Sequence, residues 1–463
     1  MLEFATEYMR TLGAKAFAGE IVSLLNLRAV GKRGFVGNAL VVMSGTGVAQ
    51  LISFLLSPLL SRLYGRADFG LFGCFSAVSG VISAGITLQY AQAIILPKKD
   101  DVAAKLFIAS CITALTLTAA TSLLFVLIPA SWLAILKAPE LKPWLWLVPL
   151  AALVAGLNQT LTFWCVRLKA FKHTAVAQVI TSSTKGLAQM GAGILGFGGP
   201  GLIGGLLAGD ILGNFALCRW VFSSSGSLLR KEMTTSAIRS AVEYKDFPIY
   251  CAPQNILNAL SQGAPILLLT HYYGISVGGL YAFTARILDV PMRFVLTALR
   301  QVLFQKFTEL NHDGANLPRV FLKTTAGLFA IAIVPAAIGF AVAPHLFVFV
   351  FGSEWYAAGE YSRWLLLWLV PAFCNLPASL FLRILRHQRA LLLFDVGILT
   401  ARIIVLVLGG RYLQSSVPTI AAFSAAGGLF EIWLLWYGWS KLPKPDSARL
   451  PRTELNSVAC SRV

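Results

Sequence analysis

The chain contains apolar runs that are too long for an ordinary soluble fold. Residues 104–129 and 322–351 each hold about twenty or more residues with almost no charge, enough helix to cross a hydrocarbon core of roughly 30 Å. Only 13% of the 463 residues are charged, about half the share that a soluble domain carries. Because lipid offers no partner to an unpaired backbone group, each run is predicted to be helical. The sequence therefore predicts an all-α polytopic membrane protein rather than a soluble helical one.

Proline, glycine and charge clusters divide the apolar runs into twelve predicted spans. They lie near residues 39–62, 69–95, 104–129, 143–166, 174–197, 200–221, 247–271, 275–301, 323–350, 361–384, 389–409 and 416–439. The longest connection falls after the sixth span, as expected for a secondary transporter with two bundles around a central cavity. We predict a first six-helix bundle at 39–222, a linker at 223–246 and a second six-helix bundle at 247–440. Residues 1–38 and 441–463 are the predicted cytoplasmic N-terminal segment and tail.

The net charge is +18, and the basic residues lie mostly on one predicted side of the membrane. If the N-terminus is cytoplasmic, 28 of the 38 Lys and Arg lie in cytoplasmic segments, 6 in periplasmic ones and 4 inside spans. This is the positive-inside pattern, and it places both termini in the cytoplasm. The basic residues therefore indicate a topology in a bacterial inner membrane, and we expect no nucleic-acid partner.

Motifs for covalent chemistry are weak in this sequence. The segment GFGGPGLIGG at 196–205 is not followed by Gly-Lys-Ser/Thr, so a tight turn is favoured over a phosphate loop. The five His and seven Cys are scattered, with no metal-ligand spacing and no CxxC. We therefore expect no catalytic residues, no metal and no cofactor, and energy from a gradient, the membrane potential or the substrate's own distribution.

Four basic residues lie inside the predicted spans, where ionisable groups are costly and usually mark a substrate path. At about 1.5 Å per residue, Lys185, Arg286 and Arg402 lie near the midplane, where alternating-access transporters place their sites. Cations there predict an anionic ligand, which Arg can bind in bidentate geometry. The predicted head-group site consists of Lys185, Arg286, Arg293 and Arg402.

Two alternatives concern the polar stripes of spans 7 and 8. Arg286, Asp289 and Arg293 lie at i, i+3 and i+7, so they form either a cavity wall or a structural ion triad. Span 7 presents one polar face that could bind sugar hydroxyls or hold helices together. Its residues are Gln254, Asn258, Ser261 and Gln262. The candidate groups for a coupling ion are Asp210, Asp289 and Glu431.

Long stretches of the sequence resemble one transporter family between about residues 40 and 440. They include SGTGVAQLISFLLSPLLSRLYGRADFGLF, YKDFPIYCAPQNILNALSQGAPILLL and GLYAFTARILDVPMRFVLTALRQVLFQKFTE. These resemble the Wzx-type oligosaccharide flippases of the polysaccharide transporter family, in the superfamily of multidrug/toxin exporters and lipid II flippases. The resemblance implies two six-helix lobes around a cationic cavity. In span 2 the family pattern often has Arg-Tyr-Glu where this chain has Gln89-Tyr90-Ala91-Gln92.

The resemblance also implies a substrate and partners. The implied substrate is a polyprenyl-diphosphate-linked glycan, moved from the cytoplasmic to the periplasmic leaflet for O-antigen, capsule or exopolysaccharide synthesis. Membrane lipids, a polysaccharide polymerase and its chain-length machinery are the implied partners. A multidrug/toxin exporter or a lipid II-type flippase would share the fold. A membrane-embedded glycosyltransferase or polymerase is the alternative of a different class, and it should have larger periplasmic loops.

Overall fold

The computed structural model describes residues 47–127, 139–232, 238–312, 316–385 and 387–442. Every regular element in these ranges is a helix. The first bundle contains α1 Gly47–Leu63, α2 Arg66–Gly85, α3 Asp100–Leu127, α4 Leu147–Arg167, α5 Phe171–Ile194 and α6 Gly199–Glu232. The second contains α7 Ala252–Tyr273, α8 Ile275–His312, α9 Leu317–Phe351, α10 Tyr356–Cys374, α11 Gln388–Tyr412 and α12 Ser416–Ser440. The predicted segment 1–38 and residues 443–463 of the predicted tail lie outside the described residues.

Eight helices of the described ranges are long and apolar enough to cross a membrane, which makes this a multi-pass membrane protein. They correspond to α2, α3, α4, α6, α9, α10, α11 and α12. The described part of α1 is an apolar helix of shorter length, α7 and α8 carry the polar stripes noted above, and α5 contains Lys185. Twelve crossings therefore stay a prediction, because these four helices do not meet the combined criteria of length and hydropathy.

The predicted second span is interrupted. Helix α2 ends at Gly85, and a short helix, Tyr90–Ala93, follows after a turn. Leu88 and Gln89 have φ angles of 46° and 60°, in the left-handed region that stops a helix of L-residues. Gln89 is buried, and its amide donates to the Ala84 carbonyl at 2.7 Å. The predicted span at 69–95 was therefore wrong as a single helix, because the backbone enters the left-handed region at Leu88 and Gln89.

The turn after α5 is held by one carboxylate. Asp68 accepts hydrogen bonds from the backbone N–H groups of Gly65, at 2.9 Å, and Gly199, at 2.5 Å. The first caps α2 and the second fixes the start of α6. Gly196 and Gly198 have φ angles of 75° and 59°, which glycine adopts without strain. The tight turn is therefore confined to residues 195–198, and the rest of the predicted turn 196–205 belongs to α6.

Helix α2 forms most of the seam between the bundles, because it packs against both α7 and α8. The seam is tight where the bundles meet near the start of α2. Gly279 of α8 lies against the Arg66 carbonyl, with no room for a side chain. Further along, a Cβ on Gly73 would lie only 2.8 Å from the Cβ of Ala282. We call this end of the molecule the closed end.

Polar and aromatic contacts join the bundles at the closed end. Ser61 donates to the Phe351 carbonyl at 3.2 Å, and the Trp355 indole donates to the Ser61 carbonyl at 3.1 Å. The ring of Phe69 lies 4.9 Å from that of Phe283 and 5.3 Å from that of Trp355, edge to face. These buried rings belong to one hydrophobic cluster drawn from both bundles. Opening this end would therefore require breaking a packed core.

Candidate functional site

The structure brings two of the predicted cations together from opposite bundles. Lys185 on α5 and Arg286 on α8 interact electrostatically, and Asp210 on α6 interacts with the same lysine. The Lys185 Nζ lies 5.7 Å from the centre of the Phe72 ring on α2. Two positive charges and one negative charge in one group give a net positive charge. The cluster can therefore attract an anionic ligand at the seam between the bundles.

Helix α6 positions Lys185 by a stripe of glycines. Gly205, Gly209 and Gly213 lie at i, i+4 and i+8, so they occupy one face of the helix. This face packs directly on the side chains of α5, and a Cβ on Gly209 would lie 2.7 Å from the Cβ of Lys185. Gly205 lies in the same way against Gln189. Close backbone approach of this kind is typical of small-xxx-small packing in membranes.

The predicted polar stripe of α8 is only partly described. Arg286 is half-buried, whereas Asp289 is exposed and interacts electrostatically with Tyr281. The side chain of Arg293 lies outside the described residues. An exposed carboxylate one turn from Arg286 is compatible with a cavity wall. The choice between cavity wall and ion triad stays open.

The polar face of α7 points away from the packed interior. Gln254, Asn258 and Gln262 are exposed, and Ser261 is half-buried. The Gln262 amide donates to the Asn258 amide oxygen at 3.4 Å, so a hydrogen bond links these two side chains along the helix. Their exposure suits contact with a ligand between the bundles. Their role as sugar contacts stays a prediction.

Arg402 lies in the interior of the second bundle. Only 7% of it is exposed, and its guanidinium lies 4.0 Å from the ring centre of Trp368 and 5.3 Å from that of Phe423. Glu431 interacts with it electrostatically and also accepts a hydrogen bond from Asn375 at 2.6 Å. In this conformation the arginine is thus held by rings and a carboxylate, apart from the cluster of Lys185. Its predicted role in head-group binding is untested.

A partly open cavity of about 310 Å³, lined by both polar and apolar groups, lies in the first bundle, and the sequence analysis did not predict it. It is lined by α1, α4, α5 and α6, with Val290 of α8 in its wall. Six of its hydrogen-bonding residues are Gln50, Ser53, Asn158, Thr162, Gln178 and Ser182. On α1, α4 and α5 these residues form pairs at i, i+3 or i, i+4. This spacing was the available signal, but a pair of uncharged residues on one helix is too common to indicate a site.

Comparison with known proteins identifies a family to which the chain is similar and solved structures that share its fold. Residues 59–360 match the family described as polysaccharide biosynthesis protein. The succinoglycan biosynthesis transport protein ExoT of Rhizobium meliloti (strain 1021) is 24% identical over 322 residues, which are 68% of this chain and 62% of that protein. The match therefore spans less than two thirds of the relative's length.

Two solved structures share the fold. The lipid II flippase MurJ in an inward closed conformation has a TM-score of 0.65 and 12% identity, covering 87% of this chain and 88% of that one. An inward-facing multidrug resistance transporter of the MATE family, in the MOP superfamily, has a TM-score of 0.62 and 12% identity, covering 88% and 95%. At this identity the similarity shows the transporter fold alone.

Proposed function

This chain belongs to the polysaccharide biosynthesis protein family, and on that premise we propose that it is a flippase for a lipid-linked oligosaccharide. The substrate is a polyprenyl-diphosphate-linked glycan, which moves from the cytoplasmic to the periplasmic leaflet of a bacterial inner membrane. The observation that carries the proposal is the meeting of Lys185 and Arg286 from opposite bundles. A diphosphate bound there would contact both halves of the transporter.

The conformation supports loading from the cytoplasm. The closed end carries the connection between α9 and α10, which the distribution of basic residues places on the periplasmic side. Contacts between Ser61 and Phe351, and between Trp355 and Ser61, close that side. The exposed polar face of α7 lies nearer the opposite end. In this orientation the cationic cluster is approached from the cytoplasm, where lipid-linked glycans are made.

Labelling of single cysteines tests the orientation. We expect a cysteine at Ser353, between α9 and α10, to react with a membrane-impermeant maleimide added to intact spheroplasts. A cysteine at Ser236, in the predicted cytoplasmic linker, should react only after permeabilisation. The wild-type chain, with its native cysteines, gives the background. The reverse result at either position would contradict the proposed topology.

The membrane potential is expected to favour outward transfer. An anion leaving a negative interior gains about 2.3 kcal/mol per charge per 100 mV, so an uncompensated diphosphate with two charges would gain roughly 7 kcal/mol at about 150 mV. Proteoliposomes that contain the lipid-linked glycan, with a potassium diffusion potential at constant pH and Na⁺, measure this directly. We expect the direction of net transfer to follow the sign of the potential.

The same experiment separates the proposed flippase from its alternatives. Transfer of the glycan-lipid at a rate above protein-free liposomes supports the proposal, and its absence contradicts it. Transfer that ignores the sign of the potential would instead assign energy to an exchanged ion. In that case Asp210, Asp289 and Glu431 are the candidate groups to take up a proton or Na⁺. Substituting each acid by its amide would show which one carries the exchange.

A further inference from the structure

A stacked pair of aromatic rings joins α5 and α6 at the end of the first bundle that lies opposite the closed end. The ring centres of His173 and Trp220 are 4.5 Å apart, with 23° between the ring planes. His173 lies in the first turn of α5, and Trp220 lies in α6. These helices are antiparallel neighbours, because only the turn at 195–198 connects them. The stack therefore fixes how the two helices face each other at this end.

The stack lies at the depth of lipid head groups. Gly199 starts α6 at the closed end, where Asp68 holds its N–H group. At about 1.5 Å per residue, the part of α6 from Gly199 to Arg219 is about 30 Å long, which matches the thickness of the hydrocarbon core. Arg219 and Trp220 therefore lie at the opposite boundary of the membrane, which is the cytoplasmic side in the predicted topology.

Two exposed cations lie on one side of this helix pair. Lys172 precedes His173 on α5, and Arg219 precedes Trp220 on α6. Each cation is rotated by about 100° from the ring that follows it, because an α-helix has 3.6 residues per turn. The two helices run in opposite directions, so both rotations lead to the same side of the pair. Lys172 and Arg219 therefore flank the stacked rings from one side.

The side that carries both cations faces lipid. On α6, Leu212 and Phe215 lie seven and four residues before Arg219, on the same face of the helix, and both are exposed. On α5, Val176 is one turn from Lys172 and is also exposed. Exposed apolar residues at membrane depth contact acyl chains. Each cation thus lies where an apolar, lipid-facing stripe reaches the membrane surface.

This lipid-facing side is separate from the transport path. Thr181 and Asp210 line the cavity of the first bundle. Each lies nine residues from a cation of its own helix, Lys172 or Arg219, which is about two and a half turns and therefore the opposite side. The seam between the bundles is formed by other helices, α2, α7 and α8. A ligand at the stack is therefore not a ligand in transit.

The charge on this side is positive and has little local compensation. From residue 141 to residue 231 the one acid is Asp210, which interacts with Lys185 deeper in the bundle. Lys169, just before α5, is exposed and adds a third positive charge. The neighbouring Arg167 is paired with Asp100 at 2.7 Å. A negative group at the membrane surface would complement the unpaired side.

We propose that this side of the first bundle binds an anionic phospholipid of the cytoplasmic leaflet. The binding residues, which we call the stack site, are Lys172, His173, Arg219 and Trp220. The two cations contact the lipid phosphate, and the acyl chains lie along Val176 and Phe215. A phospholipid matches both the charge and the apolar stripe, whereas an acidic protein would match the charge alone. The stack site is distinct from the proposed transport site, so its test needs no transport substrate.

Native mass spectrometry of the full-length protein in detergent tests the proposal. The probes are phosphatidylglycerol and phosphatidylcholine with identical acyl chains. We expect phosphatidylglycerol to bind about thirtyfold more tightly, which is about 2 kcal/mol at 1.4 kcal/mol per tenfold and reflects about 1 kcal/mol for each cation near an anionic group. Equal binding of the two lipids would overturn the proposal and would favour an acidic protein as the partner of these cations.

Variants assign the preference to the stack site. Lys172→Gln with Arg219→Gln should lose most of the thirtyfold preference. Trp220→Leu keeps every charge but removes the stack, so it should weaken the preference because the two cations are no longer held in register. The matched control, Arg230→Gln with Arg239→Gln, removes two exposed cations from the same predicted side of the membrane. Arg230 lies about 17 Å beyond Arg219 along α6, past the head groups, so the control should keep the full preference.

The control separates a defined site from general attraction between charges. Equal losses in the two double variants would show that net charge alone attracts the lipid, and the proposal would fail. An unchanged preference in Lys172→Gln/Arg219→Gln or in Trp220→Leu would also contradict the stack site. Gel filtration and thermal unfolding of each variant show whether a lost preference comes from a lost fold.

Discussion

Replacing Arg286 by alanine is expected to lower polysaccharide export by more than about tenfold, while the protein stays in the membrane at its normal level. Arg286 is the residue of the second bundle in the cationic cluster that also contains Lys185. Hydrogen bonds between a charged group and its partner contribute about 1.5–3 kcal/mol each, and an Arg forms two with a phosphate. Complementation of a strain lacking the chromosomal copy measures export, and immunoblotting of membranes measures protein level.

Two further variants make this result specific. Arg286→Lys should recover only part of the export, because the charge is kept while the bidentate geometry is lost. Arg411→Ala, at the exposed end of α11, removes the same charge from the protein and should export normally. Normal export by Arg286→Ala would mean that the cluster does not bind substrate. Failure of that variant to accumulate would assign Arg286 to the ion triad considered above.

Cross-linking the closed end is expected to arrest transport completely. Arg66 of α2 and Glu354 before α10 come from different bundles, and their side chains approach to 3.8 Å. Both side chains are exposed, so cysteines at these positions should leave the fold intact. A short reducible bifunctional thiol reagent would tether the two bundles. In the proposed transport cycle the periplasmic side must open to release the glycan, so we expect the tethered protein to be unable to complete a cycle.

The control for the cross-link lies within one helix. Glu360 and Arg363 form an ion pair on α10, with 3.2 Å between the two atoms. Cysteines at these two positions should cross-link without slowing transport in proteoliposomes. Wild-type protein treated with the reagent accounts for the native cysteines. Full transport by quantitatively cross-linked Arg66→Cys/Glu354→Cys protein would show that this end does not open, and reduction should restore activity if it does.

The helices were predictable because burial in lipid imposes long apolar runs. The all-α fold and the two bundles follow from that constraint. The turn before Gly199 follows from the glycine-rich sequence, because glycine adopts positive φ angles without strain. The break after Gly85 did not follow, because it consists of a left-handed turn at Leu88 and Gln89 that is accompanied by a hydrogen bond from the Gln89 side chain to the Ala84 carbonyl. Such a bond has no periodic signature in sequence.

The candidate site was predictable only at residues whose charge is energetically costly inside a membrane span. Lys185 and Arg286 stood out because each is a charge inside a span. The electrostatic interaction between them depends on how the two bundles are arranged, which hydropathy does not encode. The aromatic surroundings of Arg402 were missed for the same reason, since Trp368 and Phe423 lie on two other helices. The cavity was missed because its lining is divided among four helices of the first bundle and one residue of the second.

The glycine stripe of α6 has a consequence for release of the substrate. Because Gly205, Gly209 and Gly213 pack directly against α5, we expect those two helices to move together and Lys185 to keep its distance from Asp210. Arg286 belongs to the other bundle. If the proposed transport opens the periplasmic side by a rocking motion of the bundles, the two cations would separate without any change in protonation. Coulomb attraction weakens with distance, so we expect the affinity for the proposed anionic substrate to fall without any chemical step.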